Sequence, residues 1–401
     1  MKINRDYCKP LFAVVLSISL ICMTCSSVLA FQFDVKDTKV TLGGYAKLML
    51  TYDHDGTITA PYNGDLYSIY LTPIDGSRNA EKDDMRMSAR ESRLYIKTAT
   101  ENKYGLLETH IEGDFFADID SDGPTWSNSH GFRLRQAYGK MTMGQHVLLA
   151  GQTWSTFMDL AGAIPAMDFA TDPGMTFVRQ AQIRYQYNLR KGHYVAFAAE
   201  NPTYGMASAG PATFVNGGDS EDKIPDLIVK YFYADKRFHV SPKLLVRRFE
   251  LNDDAAFGYG LSLSSHVNVG AGHKVYLNLL YGDGIGRYAG LGINAGAGIG
   301  SNGDTDTVKF KSINGGVSFA LKKNVRWVIG AGYSEQDDDA FKDGILTATA
   351  NKEAFSWHSN VYWNITPQIQ YAVGVTMGDV ETMGGAEGDM TRVQSYLKYT
   401  F

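Results

Sequence analysis

Cysteine is nearly missing from this 401-residue chain, and the three present are Cys8, Cys22 and Cys25. Beyond Cys25 there is none, so a disulfide framework and cysteine-based metal sites are excluded for the rest of the chain. A basic surplus is also lacking: 38 Lys+Arg stand against 43 Asp+Glu, a formal charge of −5. A general nucleic-acid binder would carry the opposite balance. After residue 30 no stretch approaches the ~18 consecutive apolar residues of a membrane helix, which excludes a helical membrane bundle. The nine histidines are dispersed, with no H-E-x-x-H pair, so metal catalysis has little support. No dinucleotide or P-loop fingerprint occurs; Gly290–Gly303 is glycine-rich but lacks the lysine and the strand–helix context. A lipase on a membrane barrel would need an outward Ser/His pair, whereas alternation turns His110 and His358 inward. These absences predict neither an enzyme nor a cofactor.

The first thirty residues read as an export signal. Lys2, Arg5 and Lys9 form a basic head, Leu11–Cys22 an apolar run, and Val28-Leu29-Ala30 a small-residue cleavage site. The run is too short to span a bilayer as a helix. A lipoprotein reading at Cys22 or Cys25 fits poorly, because Ile21 and Thr24 stand where a small residue is wanted. Cleavage after Ala30 is the expectation, leaving residues 31–401 as one domain. Losing Lys2, Arg5, Lys9 and Asp6 leaves 35 basic and 42 acidic residues.

What the remainder has in quantity is period-2 alternation, with 42 glycines and 24 tyrosines. Val393, Leu397, Tyr399 and Phe401 fall on one face of the C-terminal segment; Arg392, Gln394, Tyr396 and Lys398 fall on the other. The same split recurs at Val275–Tyr281, Phe355–Trp363 and Ile369–Met377. These segments run to roughly ten to fourteen residues, beyond the ~5–6 of globular strands and suited to a tilted bilayer crossing. Seven short breaks alternate with eight longer polar ones, which predicts sixteen strands closed into an antiparallel transmembrane β-barrel of the outer-membrane porin type. Tyr52, Phe115, Tyr138, Tyr281, Tyr333 and Tyr399 fall near strand ends, as in an interfacial girdle. Phe401, closing an amphipathic last strand, looks like a barrel-targeting signature. A soluble β-sandwich is the competing fold, but these strands are too long for it.

Function then depends on the inward face. Alternation places Lys47, Arg93, Lys97, Arg133, Arg135, Arg184, Lys230, Lys243, Arg247, Arg326 and Arg392 there, with Glu91, Glu108, Glu112 and Asp114. Inward placement is the cheaper one, since Arg or Lys facing lipid at the midplane costs ~2–4 kcal/mol. The acids cluster on the second and third strands, so opposed charged walls and a transverse field are expected, with anions favoured by the spread of cations. The alternative is that these charges merely pair and stiffen the wall. The semi-apolar segment Thr156–Val178 carries Asp159, Asp168 and Asp172. It is expected to fold inward as a constriction, or else to cover a neighbouring subunit.

Several segments are longer and more specific than any pattern: TLGGYAKL (Thr41–Leu48), EGDFF (Glu112–Phe116), NSHGFRLRQAY (Asn128–Tyr138), AGQTWSTFMD (Ala150–Asp159) and FVRQAQIR (Phe177–Arg184). They resemble the DcaP-like outer-membrane porin family. The resemblance runs from about Thr38 to Asn188 and continues more weakly to Phe401. It implies a homotrimer in outer-membrane lipid, passive diffusion of small hydrophilic solutes and a preference for anions such as dicarboxylates. It also implies that Arg133, Arg135 and Arg184 face the eyelet. Some members of that family carry a helical N-terminal extension; only about seven residues separate Ala30 from the first strand here, so trimer contacts are expected from the barrel wall. The competing function is a surface barrel acting in adhesion through its outer loops, but a count of sixteen favours a channel.

Overall fold

The structure, a computed structural model, describes residues 30–59, 64–117, 130–168, 172–202, 223–251, 253–289 and 296–401. The expected leader, except Ala30, lies outside the described residues, as do residues 203–222 of one long loop and residues 290–295 of the glycine-rich stretch. Sixteen strands form the barrel. They are β1 (Thr38–His54), β2 in two pieces (Asp84–Ser88 and Arg93–Asn102), β3 (Gly105–Ala117), β4 (Gly131–Met143), β5 (His146–Trp154), β6 (Arg179–Arg190), β7 (His193–Glu200) and β8 (Asp226–Ala234). Then follow β9 (Phe238–Leu251), β10 (Asp254–Asn268), β11 (Lys274–Asp283), β12 (Lys309–Lys322), β13 (Val325–Gln336), β14 (Asn351–Asn364), β15 (Ile369–Thr382) and β16 (Glu387–Thr400). Each pairs antiparallel with the next, and β16 pairs with β1 to close the sheet. All seven expected short turns are present between these strands. No helix among the described residues is long and apolar enough to cross a membrane.

Burial runs inside out. On β11, Leu277 is 43% exposed, while inward Asn314 on β12 is 6% exposed. Val275, Leu279 and Tyr281 share the exposed face with Leu277, and Tyr276 and Leu280 turn inward and are buried. In water that arrangement would be unstable; with lipid outside and a polar lumen inside it is the stable one.

Three departures from plain alternation matter. First, β2 breaks at residues 89–92. There the Ser92 hydroxyl accepts the Lys47 backbone N–H at 3.0 Å, standing in for a ladder partner. Second, a register shift at Glu112/Gly113 against Leu134 and Gln136 puts an extra residue on β4. A bulge of this kind flips the faces beyond it. Tyr138 is therefore no girdle residue: its ring meets lumen-side His110 edge-on at 5.6 Å. Third, Phe31–Val35 is not a linker but a strand paired with Thr38–Leu42.

The seam is closed by the last residue. Phe401 N–H donates to Gly44 C=O, and Gly44 N–H to Phe401 C=O, both at 3.1 Å. A Cβ at Gly44 would lie 2.1 Å from the Arg93 carbonyl, so only glycine fits there. Deleting Phe401 removes two closing hydrogen bonds and an aromatic ring. The expected result is a several-fold loss of heat-modifiable, assembled barrel in outer-membrane fractions; normal levels would show that closure needs neither.

Candidate functional site

The segment between β5 and β6 runs inside the barrel, and its path is written in its partners. Thr156 N–H donates to Glu200 of β7 at 2.6 Å, and Lys230 of β8 donates to the Met158 carbonyl at 2.9 Å. Asp159 accepts from His239 of β9 at 2.6 Å and lies 3.6 Å from Lys230. His266 of β10 and Asn278 of β11 hold the Ala161 and Gly162 carbonyls. Ile164 packs with Tyr276 and Val328, and Met167 with Met49, Ala372 and Tyr396. Asp168 accepts from Gln394 at 2.7 Å, with Arg392 at 3.7 Å. Returning, Asp172 lies 3.2 Å from His358, and Gly174 N–H donates to the Tyr70 hydroxyl at 2.8 Å.

The segment thus follows the inner faces of β7 to β16. Its three carboxylates, at Asp159, Asp168 and Asp172, each meet a wall cation, imidazole or amide. Burial alone would raise the Asp159 carboxyl, but the His239 hydrogen bond and the ammonium groups of Lys230 and Lys243 outweigh it and hold the acid below the usual carboxylate range. Lys243 itself donates to Ser264 at 2.7 Å.

The wall of β1 to β6 carries the principal charge cluster. Asp114, fully buried, accepts from Arg133 Nε and Nη2 at 3.0 and 2.8 Å and from Arg135 Nη1 at 2.7 Å. Glu112 accepts from Arg135 Nε at 2.8 Å and has Arg93 at 4.0 Å. Glu91 pairs with Lys47 and lies 3.9 Å from Arg93. The acids on β2 and β3 therefore do not face basic residues across the lumen. Arg133 and Arg135 sit beside them on β4, because antiparallel neighbours put inward residues of adjacent strands in direct contact.

Arg179 completes this cluster and was missed by alternation. Its distance of five positions from inward Arg184 assigns it to the outer face. Arg179 is the first residue of β6, paired in register with Trp154, and its long side chain lies within the field of the inward Arg135/Asp114 group. The guanidinium stands over the Trp154 ring at 4.6 Å, within the field of Arg135, Arg133 and Arg93, and its Nη1 is buried without a hydrogen-bond partner. Lys140 was missed for a different reason: the β4 bulge turns it inward, onto Glu108 at 2.6 Å.

The other expected lumen residues divide into two groups. Arg247 is committed to structure: it donates to Asp226 at 3.1 Å and to the Gly284 and Ile285 carbonyls, fixing the base of the loop after β11. Arg392 is fully buried against Asp53, with two contacts at 2.6 and 2.8 Å. By contrast Lys97, Arg184 and Arg326 make no ion pair with any described residue; Lys97 lies over the Tyr95 ring at 4.6 Å.

The profile of the DcaP outer membrane protein family matches residues 23–401. Among solved structures, the outer membrane channel DcaP of Acinetobacter baumannii is similar, with a TM-score of 0.77 and 24% identity, covering 93% of this chain and 100% of that one. The anion-selective porin from Comamonas acidovorans follows with a TM-score of 0.59 and 14% identity, covering 91% of this chain and 100% of that one. Salmonella typhi OmpF in complex with daunomycin has a TM-score of 0.60 at 10% identity, covering 92% of this chain and 100% of that one. No curated protein sequence matches the chain. The structural likenesses speak for the porin barrel, and the profile, spanning nearly the whole chain, speaks for descent: the chain belongs to the DcaP outer membrane protein family.

Proposed function

We propose that the protein is a diffusion channel for small hydrophilic solutes that favours anions, with dicarboxylates as the class best matched. One observation carries this reading. Glu91, Glu112 and Asp114 on the β2–β4 wall are each shared by two cations and Glu108 pairs with Lys140, whereas Arg179, Arg184, Arg326 and Lys97 make no ion pair with a described residue. A wall whose acids are already paired leaves the surplus guanidinium groups of the lumen to whatever passes. Such groups bind carboxylates through a planar fork of donors. The Comamonas neighbour is itself described as anion-selective. A homotrimer exported through cleavage after Ala30 completes the proposal; a Vibrio cholerae OmpT neighbour is known in a trimer form.

The test is the reversal potential of purified protein in planar bilayers under a salt gradient. Anion preference is expected, and cation preference would overturn the selectivity. Silence would overturn the channel itself. Arg179→Gln should lower the anion-to-cation permeability ratio about two- to fivefold, the effect of one unit charge a few ångströms from the ion path in a wet lumen. It leaves no carboxylate without its partner, so stability should stay near that of the parent. An unchanged ratio would place Arg179 outside the path.

A further inference from the structure

Beneath the folded-in segment, at the short-turn end of the barrel, lies a recess of about 340 Å³. Its walls are Pro165 of the segment and the ends of β12 to β15, with Lys322, Lys323, Arg326, Tyr362, Asn364 and Gln370 among the lining residues. Short turns mark the periplasmic end of such barrels, so this recess is on the exit side of the constriction. It is separate from the Arg133/Arg135/Arg179 cluster, which sits on β4 and β6.

We infer that this recess is a second anion-binding station, taking a small dianion with carboxylate or phosphate oxygens after it has passed the constriction. Three features of the lining support it. None of Lys322, Lys323 and Arg326 makes an ion pair with a described residue, and no carboxylate lines the recess. Two of the three amide acceptors are already engaged: Asn364 Oδ1 accepts from Gln370 Nε2 at 2.8 Å, and Gln370 Oε1 accepts from the Tyr396 hydroxyl at 2.7 Å. The Tyr362 hydroxyl is buried and has no partner. The charged groups with capacity to spare are all donors, and an acceptor-rich ligand is the complement. The volume is at the lower end of ligand sites and far above that of one water.

A buried hydroxyl without a partner is costly unless something comes to it. Arg326 supplies the planar fork that an oxyanion takes in pairs, and the two lysines supply charge without fixed geometry. At the opposite end of the barrel a recess lined by five aspartates, with Lys309 and Lys342 paired to Asp339, lies on the outer face of the wall, since Asp283 shares the face of Leu279 and Tyr281. Anions should dwell at the periplasmic mouth, where Lys322, Lys323 and Arg326 line the recess.

The inference rests on the anion-channel reading, and the experiment separates the two. Full-length protein inserted in one orientation in planar bilayers is exposed to succinate, then to inorganic phosphate, added on either side. Transient current interruptions are expected, more frequent with periplasmic addition. In the variant Lys322→Gln/Lys323→Gln/Arg326→Gln, dwell times should shorten about tenfold, as for loss of a charged hydrogen-bonding partner. Heat-modifiability on gels reports that the variant barrel is folded. Interruption by both anions identifies a general oxyanion station, and interruption by succinate alone a carboxylate one. If the parent is anion-selective but shows no interruptions, or if the variant keeps the parent dwell time, the station is refuted and the channel reading stands. If the parent prefers cations, both fail. Should the triple variant not fold, Tyr362→Phe alone is expected to shorten the dwell by a smaller factor, and no change would refute the role of that hydroxyl and of the station built around it.

Discussion

With Arg392 replaced by methionine, the barrel should unfold at a much lower temperature and conduct more current per channel. Arg392 lies on β16 with none of its surface exposed, and it closes on Asp53 of β1 through two hydrogen bonds across the seam of the barrel. Asp53 is equally buried and also accepts from Arg86. Arg392 further stands over the Tyr67 ring at 5.2 Å and 3.7 Å from Asp168 of the folded-in segment. Removing one partner of such a pair leaves buried charge uncompensated, at a cost of about 3–5 kcal/mol. Asp53 keeps Arg86 while Asp168 loses its guanidinium, so the lower part of that range applies. The conductance should rise because Asp168 loses the guanidinium 3.7 Å away, and the far end of the constricting segment loosens. Gel mobility against temperature and single-channel conductance measure the two effects. The double variant Asp53→Asn/Arg392→Met should regain only part of the stability, since it removes the Asp53 charge but leaves Asp168 without its guanidinium and takes the Asp53 carboxylate from Arg86. A single variant with parental stability would show that Arg86 alone satisfies Asp53.

The barrel was legible in the sequence because alternation is a long, repeated signal. Sixteen strands of this length leave little freedom in where turns fall, and Lys191-Gly192 illustrates it. Gly192 has φ of 76°, and a Cβ there would meet the Ala234 carbonyl at 2.3 Å. The glycine marks the turn in sequence for the same reason that it makes the turn in space. The charges were less legible. Period-2 counting assigns a face but not a neighbour, so it separated Glu112 and Asp114 from Arg133 and Arg135, which the register brings into contact. It also assumes unbroken parity. One extra residue on β4 turned Tyr138 and Lys140 inward, and the long side chain of Arg179 at the start of β6 lies within the field of the inward Arg135/Asp114 group. No spacing rule could have indicated His239 as a partner of Asp159, because that contact depends on where the β5–β6 segment comes to rest.

Alanine at both Arg133 and Arg135 should lower the anion-to-cation permeability ratio about tenfold, the compounded effect of two unit charges beside a wet path. Unlike Arg179→Gln, this change should also destabilise the barrel. Asp114 is fully buried and takes three guanidinium contacts, all from these two residues, and Glu112 keeps only Arg93 at 4.0 Å and His110 at 3.8 Å. The stranded Asp114 carboxylate costs about 3–5 kcal/mol unless it takes up a proton. Adding Asp114→Asn to the double variant separates the two consequences. An amide carries no charge to strand, so stability should largely return. Selectivity should recover only in part, because one negative charge is removed where two positive ones were lost. Reversal potentials equal to the parent's in the double variant would put the pair outside the ion path. Recovery of selectivity as complete as that of stability would mean that the arginines act on anions only by neutralising Asp114, and that the surplus cations on this wall are Arg179, Arg184 and Lys97.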